Sequence, residues 1–183
     1  MALPRELEIS FSPEEMEFLA GNEYINIVPS ETMDQLPLVS ATIPIMKPPK
    51  KCRVPLWLAL ELKKQNLARI VPPEWMEIGK LENIRDDELE NETFSELPFR
   101  WLETAHLLLN FCADDIEDVE DIRRILLDIR EARQSKARTG LEAINEVQLT
   151  LDNLGAMEIN EIRPIFREVM DRMRKIVQVS QEE

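Results

Sequence analysis

Val54-Pro55-Leu56-Trp57-Leu58-Ala59-Leu60-Glu61-Leu62-Lys63-Lys64 runs on through Arg69-Ile70-Val71 to Pro72-Pro73-Glu74-Trp75-Met76, and its reading decides the fold. Pro55 suits the first turn of a helix, where its missing N–H is an orphan donor in any case. Leu56, Trp57, Leu58, Ala59, Leu60 and Leu62 then cover nearly the whole circumference of two turns. A helix apolar on every side must be surrounded, by its own domain or by another chain. Pro72-Pro73 stops that element and Glu74-Trp75 begins the next. Two of the three tryptophans fall in this span. Trp57 and Trp75 are therefore expected in the core or at a subunit interface, with Trp57→Ala costing roughly 3–5 kcal/mol if the ring is buried.

Upstream, Ser12-Pro13-Glu14-Glu15 is a helix start, with Ser12 as N-cap and Glu15 closing a capping box. Tyr24-Ile25-Asn26-Ile27-Val28 reads as a strand closed by Pro29. From Ser30 to Lys51, prolines at 37, 44, 48 and 49 chop the chain into short apolar runs, which predicts short edge strands and loops. Residues 1–52 are thus expected to form a small α+β domain and residues 53–183 a helical domain. The fold class is mainly α, a helical bundle preceded by a small β-containing unit.

Downstream, the pattern predicts one helix from Glu74 to Asn91 and another opened by Pro98. That second helix carries Phe99, Trp101, Leu102, Ala105, Leu107, Leu108, Leu109, Phe111 and Cys112 around its circumference. Val119, Ile122, Ile125, Leu126 and Ile129 form an apolar stripe at steps of three and four. Leu141, Ile144, Val147 and Leu151 continue it past a soft point at Gly140, until Asp152-Asn153 breaks the helix. Ile162, Phe166, Val169, Met173 and Ile176 stripe a final helix, with Pro164 tolerable only in its first turn.

The chain of 183 residues carries 22 Lys and Arg against 36 Asp and Glu, a net charge of −14. Proteins held to nucleic acid through phosphates need basic surfaces, so strong direct nucleic-acid binding is not expected. No apolar run approaches the roughly 20 residues that span a bilayer, and no membrane association is expected. Cys52 and Cys112 match no metal spacing and no disulfide framework, as expected of a soluble intracellular protein. His106, the single histidine, sits between Ala105 and Leu107 and reads as a structural residue. The acidic run Asp114–Asp121 lacks the central glycine of a calcium loop and reads as acids at a helix N-terminus. No P-loop, G-x-G-x-x-G or G-x-S-x-G is present. No catalytic, cofactor or metal residues are assigned, and the chain reads as an interaction protein. Arg123, Arg130 and Arg133, off the apolar stripe, are a candidate polar interface with another subunit, since arginine is enriched at interface hot spots. Pairing within the chain is the alternative.

Three stretches carry a resemblance: Val54-Pro55-Leu56-Trp57-Leu58-Ala59 with Leu62-Lys63; Pro72-Pro73-Glu74-Trp75-Met76; and Leu151-Asp152-Asn153-Leu154 with Met157-Glu158-Ile159-Asn160. With Phe94-Ser95-Glu96-Leu97-Pro98 and Ser12-Pro13-Glu14-Glu15, they resemble the second partner-of-Sld-five family of eukaryotic GINS subunits. The resemblance implies a nuclear, non-catalytic chain in a heterotetramer with three paralogous subunits, each having a helical domain and a small β-rich one. It implies that the tetramer joins the cell-division-cycle forty-five protein to the hexameric minichromosome maintenance ring, which does the hydrolysis. It adds Trp101, Leu151, Leu154, Met157 and Ile159 to the residues expected in the core or at a subunit interface. The competing readings are a generic helical adaptor of another intracellular complex and an enzyme with a carboxylate-bound metal.

Overall fold

The computed structural model describes residues 10–39, 42–142 and 152–182, with side chains to residue 139 in the second segment and to 172 in the third. The first helix, α1 (Pro13–Ala20), begins with the expected capping box: Glu15 N–H donates to Ser12 Oγ, and Ser12 N–H donates to the Glu15 carboxylate. Strand β1 (Tyr24–Pro29) follows. Ile25 and Ile27 are buried and Tyr24 and Asn26 exposed, the two-residue period of a half-buried strand.

Among the described residues between 30 and 51, the strands are β2 (Leu36–Pro37) and β3 (Thr42–Ile43), a two-stranded antiparallel pair with Met33 bridged to Met46. Strand β4 (Cys52–Pro55) then leads into helix α2 (Leu56–Lys64), and β5 (Ala68–Val71) follows. Both β4 and β5 pair antiparallel with β1, giving the order β4-β1-β5. The division expected at 52/53 falls inside this unit, because β4 starts at Cys52 and β5 lies wholly beyond. Arg69-Ile70-Val71 reads as strand rather than helix tail because β1 needs a partner on its second side. Pro55 caps α2 from the strand end instead of occupying its first turn.

After Pro72-Pro73, the expected single helix divides into a 3-10 turn (Glu74–Met76) and α3 (Ile78–Glu90). Pro98 precedes α4 (Trp101–Phe111) by a turn in which Trp101 N–H donates to Pro98 O. A 3-10 turn at Ala113–Asp115 leads to α5 (Val119–Glu142), which runs through Gly140. Ile144, Val147 and Leu151 lie outside the described residues. Asn153, at φ 63°, turns the chain into α6 (Ala156–Glu182). Pro164 lies inside α6, beyond its first turn, contrary to the expectation of an early position.

One core joins the two units. Ile27, Val54, Leu56 and Ile70 from the sheet unit cluster with Trp101, Leu108, Ile122 and Ile129 from the helices. Asp115 fastens the seam: it accepts the Ile70 N–H at 2.8 Å, and Lys63 lies 2.9 Å from it. That occupies the edge of β5 and gives a structural task to the acidic run. Asn160 ties the N-terminal residues to α6, accepting from Phe11 N–H at 2.9 Å and donating to Phe11 O at 2.8 Å.

Candidate assembly surface and buried arginine hub

Arg133 is the organising polar residue of the interior. It lies on α5 beside the stripe that ends at Ile129, and only 1% of it is exposed. Its Nε and Nη2 grip Glu158 of α6 at 2.7 and 3.0 Å, a two-pronged pair with one carboxylate. Nη1 donates to Glu88 of α3 at 3.1 Å and to Ser95 O at 3.2 Å, and Nη2 also donates to Asn153 O at 2.5 Å. Every donor position of the guanidinium fork is therefore engaged. The plane stands 5.1 Å from the Phe94 ring and 6.0 Å from that of Trp101.

The acceptors are satisfied in turn. Glu88 accepts from Lys136 Nζ at 2.8 Å, from Ser95 N–H at 2.9 Å and from the Ser95 hydroxyl. Glu158 accepts the Gly155 N–H at 2.6 Å. Burial alone would push the Glu88 carboxyl up, but the Lys136 and Ser95 hydrogen bonds and the Arg133 charge outweigh it and hold the group below its usual range. Burial likewise opposes the Arg133 charge, and Glu158 and Glu88 more than restore it, so the guanidinium stays protonated. Residue 155 must be glycine for steric reasons: an added Cβ would lie 2.9 Å from Trp101 Nε1 and 3.2 Å from Glu158 Oε2.

Of the candidate interface residues Arg123, Arg130 and Arg133, only Arg133 is corrected, because it is buried inside the chain. Arg133 is spent within the chain, through Glu88 and Glu158 on other helices rather than neighbours on its own. Arg130 pairs with Glu161 of α6 at 2.8 Å, and Arg123 donates to Leu109 O at 2.9 Å. These residues close the bundle, because α5 packs against α3, α4 and α6 and its arginines reach across those seams. Two short motifs of the sequence, Phe94–Pro98 and Asn153–Asn160, supply most of the hub. Glu88 and Lys136 complete it and carry no sequence signature of their own.

The tryptophans separate. Trp101 is buried, Trp75 is half-buried against the core, and Trp57 is 45% exposed. Of the two ways expected to surround α2, its own domain supplies one side only: Leu56, Leu58, Ala59 and Leu62 are buried and Leu60 packs partly against the core, whereas Trp57 and Lys64 are exposed and left for another chain. Leu154 is buried, Met157 and Ile159 are half-buried, and Leu151 lies outside the described residues. His106 is on the exposed side of α4, where Nδ1 meets Glu17 Oε1 of α1 at 2.5 Å and Nε2 meets the Asn110 amide at 2.9 Å. A ring that donates from Nδ1 and accepts at Nε2 satisfies both contacts, of which the first joins α1 to α4 and the second lies within α4.

That join gathers an exposed apolar face. Phe18 of α1 is 79% exposed and Phe111 at the end of α4 is 52% exposed. Trp57 N–H donates to Gly21 O just beyond α1, and Lys64 Nζ lies 5.5 Å from the centre of the Phe111 ring. The first turn of α2 therefore lies against the end of α1, three residues beyond Phe18, and its last turn lies beside Phe111. Large aromatics gathered on one face mark interaction sites far more often than scattered single apolar residues do.

Among the described residues, no group of three or more His, Cys, Asp or Glu side chains is placed to hold a metal ion. The Cys112 thiol is buried and pushed up to about 11 by that burial and by Asp115, so it is a poor nucleophile. No helix of the described residues is long and apolar enough to cross a membrane.

A helical bundle behind a small α+β unit, with its buried polar groups used in closing the bundle and with Phe18, Trp57 and Phe111 left exposed, fits a protein of the assembly class. Residues 12–71 match the family model described as PSF2 N-terminal domain, and residues 75–177 match the one described as GINS complex protein helical bundle domain. A Debaryomyces hansenii protein named DNA replication complex GINS protein PSF2 is 41% identical over 178 residues, covering 96% of this chain and 86% of that protein. Proteins of the same name from Saccharomyces cerevisiae and Xenopus laevis are 37% and 39% identical, covering 96% and 88% of this chain and 92% and 90% of theirs. The chain belongs to the PSF2 family of GINS proteins.

Proposed function

We propose that this chain is a non-catalytic structural subunit of a GINS heterotetramer acting in chromosomal DNA replication in the nucleus. Its partners are three paralogous subunits. Through the assembled tetramer it helps hold the cell-division-cycle forty-five protein against the minichromosome maintenance ring during initiation and elongation. The observation that carries this reading is the match of both units, end to end, to GINS families. Trp57, Phe18 and Phe111 are the residues we assign to contact with a paralogous subunit. The bundle arginines are assigned to the fold alone, and the boundary between units to Pro72-Pro73. With a net charge of −14, the chain itself contributes little direct DNA affinity.

Co-expression of the tagged chain with its three paralogues tests the reading. The expected result is an equimolar four-chain species by native mass spectrometry, which captures the ring and its accessory protein from nuclear extract. A monodisperse, cooperatively melting monomer that captures no paralogue would overturn the proposal.

A further inference from the structure

A second surface feature lies where the sheet unit meets the start of α4. Residues of β1, the β4–α2 junction and the Pro73–Trp75 turn, together with residues 98–104, enclose a groove of about 550 Å³, within the range of roughly 300–1,000 Å³ typical of binding clefts. Tyr24, Trp75 and Phe99 supply aromatic walls, and Arg53 and Arg100 supply positive charge. Tyr24 and Phe99 are exposed. Each guanidinium lies against a ring: Arg53 is 5.3 Å from the centre of Tyr24, and Arg100 is 5.7 Å from that of Phe99.

The cations are under-neutralised. Arg53 pairs with no carboxylate among the described residues. Arg100 reaches Glu23 only through Nε, at 3.5 Å, and Glu23 is itself largely exposed. The Nη1 of Arg100 is enclosed with no hydrogen-bond partner. Arg53 is exposed and 21% of the Arg100 side chain remains accessible, so both guanidinium groups can donate to an incoming carboxylate. On a chain of net charge −14, a groove whose lining carries two arginines and one glutamate is a local reversal of sign.

We propose that this groove binds a linear acidic segment of a partner protein, with Asp or Glu side chains over Arg53 and Arg100 and apolar side chains between Tyr24, Trp75 and Phe99. Single-stranded nucleic acid would use the same two side-chain types, but it needs a continuous basic track along its phosphates. Two arginines beside a glutamate do not make one. The groove does not include Phe18, Trp57 or Phe111, so its occupancy is tested separately from subunit assembly.

The test immobilises the full chain and offers a library of short peptides in which Asp or Glu alternates with Phe, Leu or Ile. Matched libraries carry Asn and Gln, or Lys and Arg, at the acidic positions, and a thymidine oligonucleotide is offered as competitor. The expected result is retention of the acidic library at least about ten-fold above both others, weakening with salt as charge attraction is screened. Arg53→Glu and Phe99→Ala should each abolish that preference with melting unchanged, since both side chains are exposed. Trp57→Ala should leave it intact. Equal retention of the neutral library, displacement by the oligonucleotide, or indifference to both groove substitutions would overturn the proposal.

Discussion

The Arg133 hub and the Trp57 face are mirror images of what residue type alone would place there. A long charged side chain lies at the centre of the bundle, and the largest apolar side chain of α2 faces outward. The difference lies in partners. Arg133 meets carboxylates on α3 and α6 and carbonyls from two loops, so its desolvation is met donor by donor. Trp57 lies on the exposed side of α2, and no described residue covers it fully. Burial therefore reports which elements converge at a position more than how hydrophobic the residue is.

The contrast breaks most sharply at Arg133. Arg133→Ala leaves Glu158 without its buried cation and Glu88 with Lys136 alone, and removing one member of a buried pair costs about 3–5 kcal/mol. Arg133→Lys keeps the charge but not the fork, and should also lower the urea midpoint strongly. A stability loss for either variant no greater than that of Arg130→Ala would show that the hub does not hold the bundle.

The converse substitution concerns the face. Trp57→Ala should shift the melting of the chain little, because nearly half the ring is already in water. In the assembled complex, the same change should cost about 2 kcal/mol or more, roughly thirty-fold in affinity, as an aromatic hot spot does. Titration calorimetry against the co-purified paralogues measures it. A large loss of chain stability with unchanged affinity would return Trp57 to the core.

Glu103 on α4 sharpens the comparison from within. It is 2% exposed, and neither carboxylate oxygen has a hydrogen-bond partner. Burial pushes its carboxyl above the usual range, opposed only in part by nearby backbone dipoles and Arg100. Glu103→Leu should therefore stabilise the chain at neutral pH by about 1–3 kcal/mol, the cost of an unmatched buried polar group. A raised folded-state pKa means that the native chain takes up the proton more readily than the unfolded one. The cost of the anion is thus full above the raised pKa, fades as pH falls through it, and is gone below the ordinary value of 4.5. The stability gap between Glu103→Leu and the parent should shrink in the same direction, and a gap that widens toward acid would refute the assignment. Glu88 has the opposite sign: its lowered pKa contributes stability above 4.5 that is lost in acid.

Arg130 gives the smallest effect. Its pair with Glu161 is substantially exposed on both sides, and Arg130→Ala should cost under about 1 kcal/mol in the same urea titration. The two arginines stand one helical turn apart, so their difference isolates burial from charge.

Local patterns in the sequence sufficed for the capping box at Ser12, the two-residue period of β1, the stripe from Val119 to Ile129 and the break at Asn153. Each depends on residues within a few positions of one another, which periodicity and capping chemistry record directly. The same is true of the motifs that signalled the GINS resemblance. They could be recognised as strings, but their work, holding Arg133 and clamping Phe11, could not be read from them. The sign and scarcity of charge-bearing motifs also pointed to an assembly protein. Tertiary structure alone decided that β5 closes the sheet beyond the proposed boundary, that Arg133 pairs with Glu88 and Glu158 across 45 and 25 residues, and that Trp57 points outward. Those outcomes depend on which helix faces arrive at the same point, and one strand or helix holds no record of the neighbour that will pack against it.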